Sequence, residues 1–242
     1  MALRISGSPA ATGKLLYVSR SAPPGVSGSA HVLKALMAED HERRLVAVGA
    51  RSFWSAAQFL DGRLHLFPTE LNLFGRGARF LSPLRQLLRR RLAARISEVA
   101  KQSAIEGIVA VFPDALYCEA ALDAAKRVGK PVDVYFHNTY ADNRRGIPGW
   151  HARRLEQRMV AQSRRLLFIS DALMARFIAK YPAIAGKCEV LRHPVPAAGT
   201  NPAPRAFAAR PVRATMMGNL NESNFDAASR MLRALAGRDD LR

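Results

Sequence analysis

Two stretches of this chain hold groups that could bind a polar or anionic ligand. In residues 14–36 an apolar segment, Leu15-Leu16-Tyr17-Val18, leads into a loop containing Pro23, Pro24, Gly25, Val26, Ser27 and Gly28, and a helical pattern opens near Ser29. Serine at that position can cap the free N–H groups of a first helical turn. Glycines beside the turn let a ligand approach the main chain, and a helix N-terminus contributes about half a positive charge, so the junction is an anion pocket in outline. Gly25 and Gly28 do not complete the Gly-x-Gly-x-x-Gly dinucleotide fingerprint. The second stretch is Tyr135-Phe136-His137-Asn138, the end of an expected strand over residues 132–138. Its imidazole can donate or accept a hydrogen bond.

The elements that must position these groups follow from the pattern of apolar runs and breakers. Strands are expected at residues 44–48, closed by Gly49, and at 63–67, closed by Pro68. Residues 69–80 read as irregular. Ser82 and Pro83 then open a helix expected to run to about residue 103, with Leu81, Leu84, Leu88, Leu92, Ile96 and Val99 as its apolar stripe. Arg85, Arg89, Arg90, Arg91 and Arg95 spread around its other sides, either as solvated cations or as a basic face for an anionic bilayer. Residues 107–112 form an unbroken apolar strand stopped by Pro113, of the kind buried in a parallel sheet. Asp114 caps the next helix, which ends before Gly129. Further helices are expected over residues 150–163 and, capped by Asp171, 171–181, with strands over 165–170 and 188–192.

This alternation predicts an α/β fold, an open and mostly parallel sheet with helices on both faces. Ligands of such sheets sit beyond the C-terminal strand ends, so the loop before Ser29 and His137 are expected on one edge. Residues 1–13 read as a flexible tail, 14–194 as the first domain and 195–211 as a proline-rich linker. Residues 212–242, a strand, a loop and a helix from Phe225, read as the incomplete start of a second domain, since so little chain cannot bury a core of its own.

Composition narrows the classes further. The chain of 242 residues is 49% hydrophobic and 23% charged, which is globular, and its net charge of +18 favours anionic partners. Cys118 and Cys188 are far apart and lack the spacing of a zinc site or a disulfide framework. No run of about 20 apolar residues could span a bilayer, and no signal-peptide core follows the first residues, so a cytoplasmic protein is expected. No Ser-His-Asp set or close carboxylate pair supports a hydrolase. Nucleic acid is disfavoured, because aromatic residues make up 7% of the chain and no stacking motif interleaves with its basic runs.

Five motifs follow one another along the chain: Pro24-Gly25-Val26-Ser27-Gly28, Tyr135-Phe136-His137-Asn138, residues 166–173 (Leu-Leu-Phe-Ile-Ser-Asp-Ala-Leu), Val190-Leu191-Arg192-His193-Pro194, and Met217-Gly218-Asn219-Leu220. In order and spacing they resemble the GT-B glycosyltransferases of family 4, retaining enzymes with two Rossmann-like domains facing a cleft. The resemblance implies that the first domain is the acceptor-side Rossmann-like domain and that residues 212–242 begin the donor-side one. It implies transfer of a hexose from a nucleotide sugar to a glycan or lipid-linked acceptor, with no metal or other cofactor; the basic helix over residues 82–103 adds peripheral association with the inner face of a membrane as an option for this cytoplasmic protein. His137 would meet the transferred sugar as the catalytic histidine. Gly25, Ser27, Gly28, Asn138 and Ser170 would bind substrate, and Gly218 and Asn219 would form the donor-phosphate loop.

The chemistry suits these residue types, because main-chain N–H groups and helix N-termini stabilise the charge that develops on a leaving diphosphate. The chain also departs from the family pattern. Gly25-Val26 replaces paired glycines, Arg192-His193 an Asn-Gly turn, Asn219 an arginine, and Ser223 and Asn224 stand near an expected lysine. The family's pair of glutamates eight positions apart would fall beyond Arg242, so the chain by itself is expected to be inactive or weak. A non-enzymatic basic module that binds membrane or nucleic acid is the alternative.

Overall fold

Runs rich in valine, leucine and phenylalanine with few polar interruptions become strands covered on both sides. In a computed structural model, which describes residues 13–23, 28–50, 62–68, 86–112, 114–142, 144–192, 229–230 and 233–234, these are β1 (Lys14–Val18), β2 (Leu45–Ala50), β3 (Leu64–Phe67), β4 (Ile105–Phe112), β5 (Val132–Phe136), β6 (Leu166–Phe168) and β7 (Cys188–Val190). They form one seven-stranded sheet in the order β3-β2-β1-β4-β5-β6-β7. All of its pairings are parallel. The order runs outward in two directions from the β1–β4 pair, and that reversal opens a crevice above the two strands.

Successive side chains alternate between the two faces. Leu16, Val18, Ala110, Phe112, Val134, Phe136, Leu166 and Phe168 point into the larger core, and Tyr17, Val111, Tyr135 and Leu167 into the smaller. The larger core is closed by α2 (Arg89–Gln102), α3 (Ala115–Val128), α4 (Gly146–Gln162) and α5 (Asp171–Lys180), and the smaller takes Leu33 and Met37 from α1 (Gly28–Glu39). Register places Phe112 opposite Phe136 and Phe136 opposite Phe168. The ring of Phe177 from α5 packs on the latter two at 4.6 and 5.0 Å. This is a Rossmann-like α/β domain with helices on both faces.

The helix ends show where local chemistry decided. Asp114 caps α3 by accepting from the Tyr117 N–H at 3.1 Å, and Gly129 ends it in the left-handed region at φ 63°. For α5 the cap is Ser170, whose hydroxyl accepts from the Leu173 N–H at 3.3 Å. Asp171, expected as that cap, is instead the first helical residue. α4 begins at Gly146, four residues before the expected start at 150. Gly146, Pro148 and Gly149 hid that beginning, although a first turn tolerates them because its N–H groups have no intrahelical partner. In α2 regular geometry begins at Arg89 after a short 3₁₀ turn over residues 86–88, and the expected start at Ser82-Pro83 lies outside the described residues. Leu92, Ile96 and Val99 of its stripe are buried. A 3₁₀ segment over Pro182–Lys187 was not foreseen, and β5, β6 and β7 end earlier than expected.

One close approach shapes the crevice. A Cβ on Gly49 would lie 2.4 Å from the Ala22 Cβ, so glycine lets the chain leaving β1 lie against β2. Hydrogen bonds from the Ser19 N–H to the Val48 carbonyl and from the Ala50 N–H to the Arg20 carbonyl, both 3.0 Å, fix it there.

The chain divides into two units, Met1–Pro194 and Val195–Arg242. The described residues of the second, Ser229, Arg230, Arg233 and Ala234, are helical, and the expected strand over 212–217 lies outside the described residues.

Candidate functional site

The crevice at the β1–β4 reversal is built from what immediately follows those strands. Ser19, Arg20 and Ser21 come from the end of β1, Val111 and Asp114 from the end of β4, and Ser29 from the first turn of α1. Together they line a cavity of about 100 Å³. That holds a small polar group and is well below the size of a site that engulfs a whole ligand. Ser19 is buried, and Arg20 reaches across the mouth to within 3.8 Å of the Asp114 carboxylate, with about half of its side chain exposed.

His137, the first residue beyond β5, meets this crevice through α1. Its Nδ1 lies 3.1 Å from the Ser29 hydroxyl, joining residues 108 positions apart in sequence. The pair reads either way: Ser29 donates to a bare Nδ1, or a protonated Nδ1 donates to the Ser29 oxygen. Tyr135 packs edge-on against the imidazole, ring centres 4.3 Å apart, and its own hydroxyl donates to the Leu191 carbonyl at 2.7 Å. Burial holds the Tyr135 phenol well above its usual range, so it stays neutral and serves as a wall and an anchor.

The segment that follows His137 is tied down in turn. Tyr140 stacks edge-on against Phe112, and the Arg144 guanidinium lies 3.6 Å above the Tyr140 ring. Asp142 accepts from Arg176 at 2.8 Å and from Lys180 at 3.0 Å, both on α5. Burial raises the Asp142 carboxyl, but the hydrogen bond and charge of Lys180, with Arg176, outweigh it and hold it below the usual carboxylate value. Lys180 also pairs with Glu156 of α4, whose side chain is 1% exposed and which accepts from the Tyr181 hydroxyl at 2.9 Å. The strand end bearing His137 is thus braced by two helices.

The sequence-predicted residues divide into three groups. The structure brings the start of α1, with Gly28 and Ser29, to His137. Among the described residues, a Cβ on Gly28 would meet nothing within 4 Å. Asn138 is exposed beside the site, its side-chain oxygen accepting from the Thr139 N–H at 2.8 Å. Ser170 lies at the end of β6, where its hydroxyl caps α5, and it does not line the cavity. Gly25, Ser27, Gly218 and Asn219 lie outside the described residues. Sequence reasoning missed Ser19, Arg20 and Ser21. A polar run directly after an apolar strand was the available signal, but only the strand order shows that β1 borders the reversal.

A larger hollow of about 520 Å³ lies between α2 and α3, lined by Gln86, Leu87, Arg89, Arg90, Asp123 and Arg127. It holds none of the strand-end groups, and its one carboxylate, Asp123, is already shared by Arg89 and Arg158 at 2.7 and 2.6 Å. The crevice with convergent serines, an arginine and Asp114, one of whose serines touches the His137 imidazole, is the better candidate. Among the described residues no three of His, Cys, Asp and Glu cluster as a metal site, and no helix is long and apolar enough to cross a membrane.

A seven-stranded parallel sheet with helices on both faces and a strand-order reversal beside β1 defines the class, a Rossmann-like α/β domain. No family model matches the sequence, and no curated protein matches it. Among solved structures the chain is similar to UDP-N-acetylglucosamine 2-epimerase from Rickettsia bellii, with a TM-score of 0.49 and 10% identity over 94% of this chain and 49% of that one. The chain therefore spans about half the length of that protein. The fold assignment rests on the sheet order and register described above.

Proposed function

We propose that this chain is the acceptor-side domain, with the beginning of the donor-side domain, of a GT-B glycosyltransferase similar to family 4. The reaction is transfer of a hexose from a nucleotide sugar to a glycan or lipid-linked acceptor. The observation that carries the reading is the 3.1 Å contact between Ser29 and His137, which joins the helix N-terminus beside the strand-order reversal to the imidazole beyond β5.

In this reading the bond between the anomeric carbon and the diphosphate oxygen breaks as the acceptor oxygen bonds to that carbon, and the acceptor's hydroxyl proton passes to the departing diphosphate. Negative charge grows on the diphosphate, where the N–H groups at the start of α1 and the Arg20 guanidinium supply fixed positive potential. His137, with Nδ1 against Ser29 and its ring held by Tyr135, would meet a sugar hydroxyl through Nε2, which is withdrawn from water in the structure. Asp114 holds the α3 terminus in place and offsets part of the Arg20 charge.

Donor turnover tests the reading, measured as release of nucleoside diphosphate from uridine, guanosine and adenosine diphosphate sugars by the protein made from its complete reading frame. His137→Ala is expected to lower kcat by about 100-fold, the scale of losing one well-placed hydrogen-bonding group. Ser29→Ala, which removes the hydroxyl beside Nδ1 and keeps the imidazole, should lose less. Both should keep the far-ultraviolet spectrum of the parent. Turnover in His137→Ala equal to the parent, or no nucleotide release from any donor, would overturn the assignment.

A further inference from the structure

Among the described residues three large apolar side chains are strongly exposed: Leu87, Ile147 and Trp150, at 78%, 76% and 50%. Two of them, Ile147 and Trp150, stand three residues apart on the first turns of α4 and so share one side of the helix. Exposing an isoleucine and a tryptophan side by side forgoes burial that the same helix achieves at Leu155 and Met159.

What surrounds them is cationic. Arg145, at the N-cap, and His151, Arg153 and Arg154 are all exposed, and the Arg154 guanidinium lies 5.5 Å from the centre of the Trp150 indole. The first turn of α4 has no acidic residue, and its N-cap makes no side-chain hydrogen bond. The only carboxylate in the helix, Glu156, faces inward and is held by Lys180 and Tyr181. Asp142, upstream, is engaged by Arg176 and Lys180. No carboxylate on this helix therefore opposes its exposed arginines.

We propose that the N-terminal turns of α4 dock on an anionic lipid bilayer, with Ile147 and Trp150 entering the headgroup boundary and Arg145, Arg153 and Arg154 pairing with lipid phosphates. Two protruding side chains fall far short of the roughly 800 Å² per partner that a stable protein interface buries. They suffice for a surface of unlimited area, to which the net charge of +18 draws the whole molecule. An amphipathic indole beside arginine is suited to the boundary between headgroups and acyl chains. The arginines of α2 have a single exposed apolar neighbour among the described residues, Leu87 in the 3₁₀ turn before the helix, and no exposed aromatic one: Leu92, Ile96 and Val99 face the core, and Arg89 and Arg95 are paired with Asp123 and Glu98.

Because α4 follows β5, it starts on the same rim as His137. Taken with the proposed function, docking there would hold a lipid-linked acceptor near the crevice, but the docking itself needs neither donor nor acceptor.

Vesicle flotation tests it, with phosphatidylcholine vesicles against vesicles of equal parts phosphatidylcholine and phosphatidylglycerol, in the absence of any sugar nucleotide. The protein should float with the anionic vesicles alone. The bound fraction should fall about tenfold in the double variant Ile147→Ser, Trp150→Ser and in Arg153→Gln, Arg154→Gln, each with an unchanged far-ultraviolet spectrum. Arg90→Gln, Arg91→Gln should bind as the parent does. Loss of binding only in the α2 pair, undiminished binding in the α4 pairs, or a dimer that Ile147→Ser, Trp150→Ser dissolves without any vesicle binding would each overturn the proposal. Failure of donor turnover would leave this result untouched, so the two readings fall separately.

Discussion

Glu156 shows how much a single buried charge constrains this site. Its carboxylate is withdrawn from water on α4 and is compensated by the Lys180 ammonium and the Tyr181 hydroxyl. Burial lowers Lys180, but the hydrogen bonds and charges of Glu156 and Asp142 outweigh it, so the ammonium is held above its usual value. Burial, with the hydrogen bond to Glu156, pushes the Tyr181 phenol up to about 12. Replacing Lys180 by methionine keeps the side chain's bulk and leaves Glu156 without its cation. Breaking a buried pair in this way should cost about 3 kcal/mol in urea unfolding. The double variant Lys180→Met, Glu156→Gln should recover much of that loss, since no uncompensated charge remains. Because Asp142 shares Lys180, the single variant should also loosen the segment after His137, visible as faster amide exchange at residues 139–142.

At the scale of elements, β5 and the start of β6 are fastened by an ion cluster at the end of the sheet opposite the crevice. Asp133 on β5 is 2% exposed and accepts from Arg164 at 3.0 and 2.8 Å and from Arg165 at 3.2 and 2.7 Å. The Arg164 N–H adds a hydrogen bond to the Val132 carbonyl at 2.8 Å. Burial raises the Asp133 carboxyl, but the hydrogen bonds from the two arginines prevail and hold it below the usual 3.8. A carboxylate depressed in the folded state contributes stability that is complete above its unfolded value and is lost as pH falls through its folded value. Stability should therefore decline below about pH 4, and Asp133→Asn should flatten that acid limb while costing about 2 kcal/mol at neutral pH. Thermal midpoints of the parent and variant across that range read both effects. A steep acid limb retained in Asp133→Asn would assign it instead to Asp123 and Asp142, which are also depressed.

The whole molecule is organised outward from the β1–β4 pair. β1, β4 and β5 are internal strands whose central residues are buried, whereas every residue of the edge strands β3 and β7 is only half-buried. Native-state hydrogen exchange should be slowest at Leu16, Val18, Ala110 and Val134 and faster by orders of magnitude in β3 and β7. Equal protection in the edge strands would mean that something else covers them. The same arrangement separates two kinds of surface on one rim, a small polar crevice above β1 and β4 and a basic, apolar-tipped helix start beyond β5.

Much of this was legible without coordinates, because it is local. Alternating breakers and apolar runs located all seven strands, since a strand covered on both faces has few polar residues and a short polar loop must follow it. Asp114 and Gly129 marked the ends of α3 for the same reason, each satisfying backbone groups within one turn. Parallel pairing followed from the intervening helices. The true start of α4 escaped, because glycine and proline in a first turn look like a loop until the N–H groups are traced.

Tertiary structure alone decided which strand ends are neighbours. Parallel pairing leaves the strand order open, and only the reversal between β1 and β4 sets Ser19, Arg20 and Asp114 around one crevice and lets Ser29 meet His137. It also decided which side chains remain in water. The pattern of α4 shows an apolar Ile147 and Trp150, and only the packing of the helix on the sheet shows that they face outward, because burial depends on what lies across the interface and not on the residue's type.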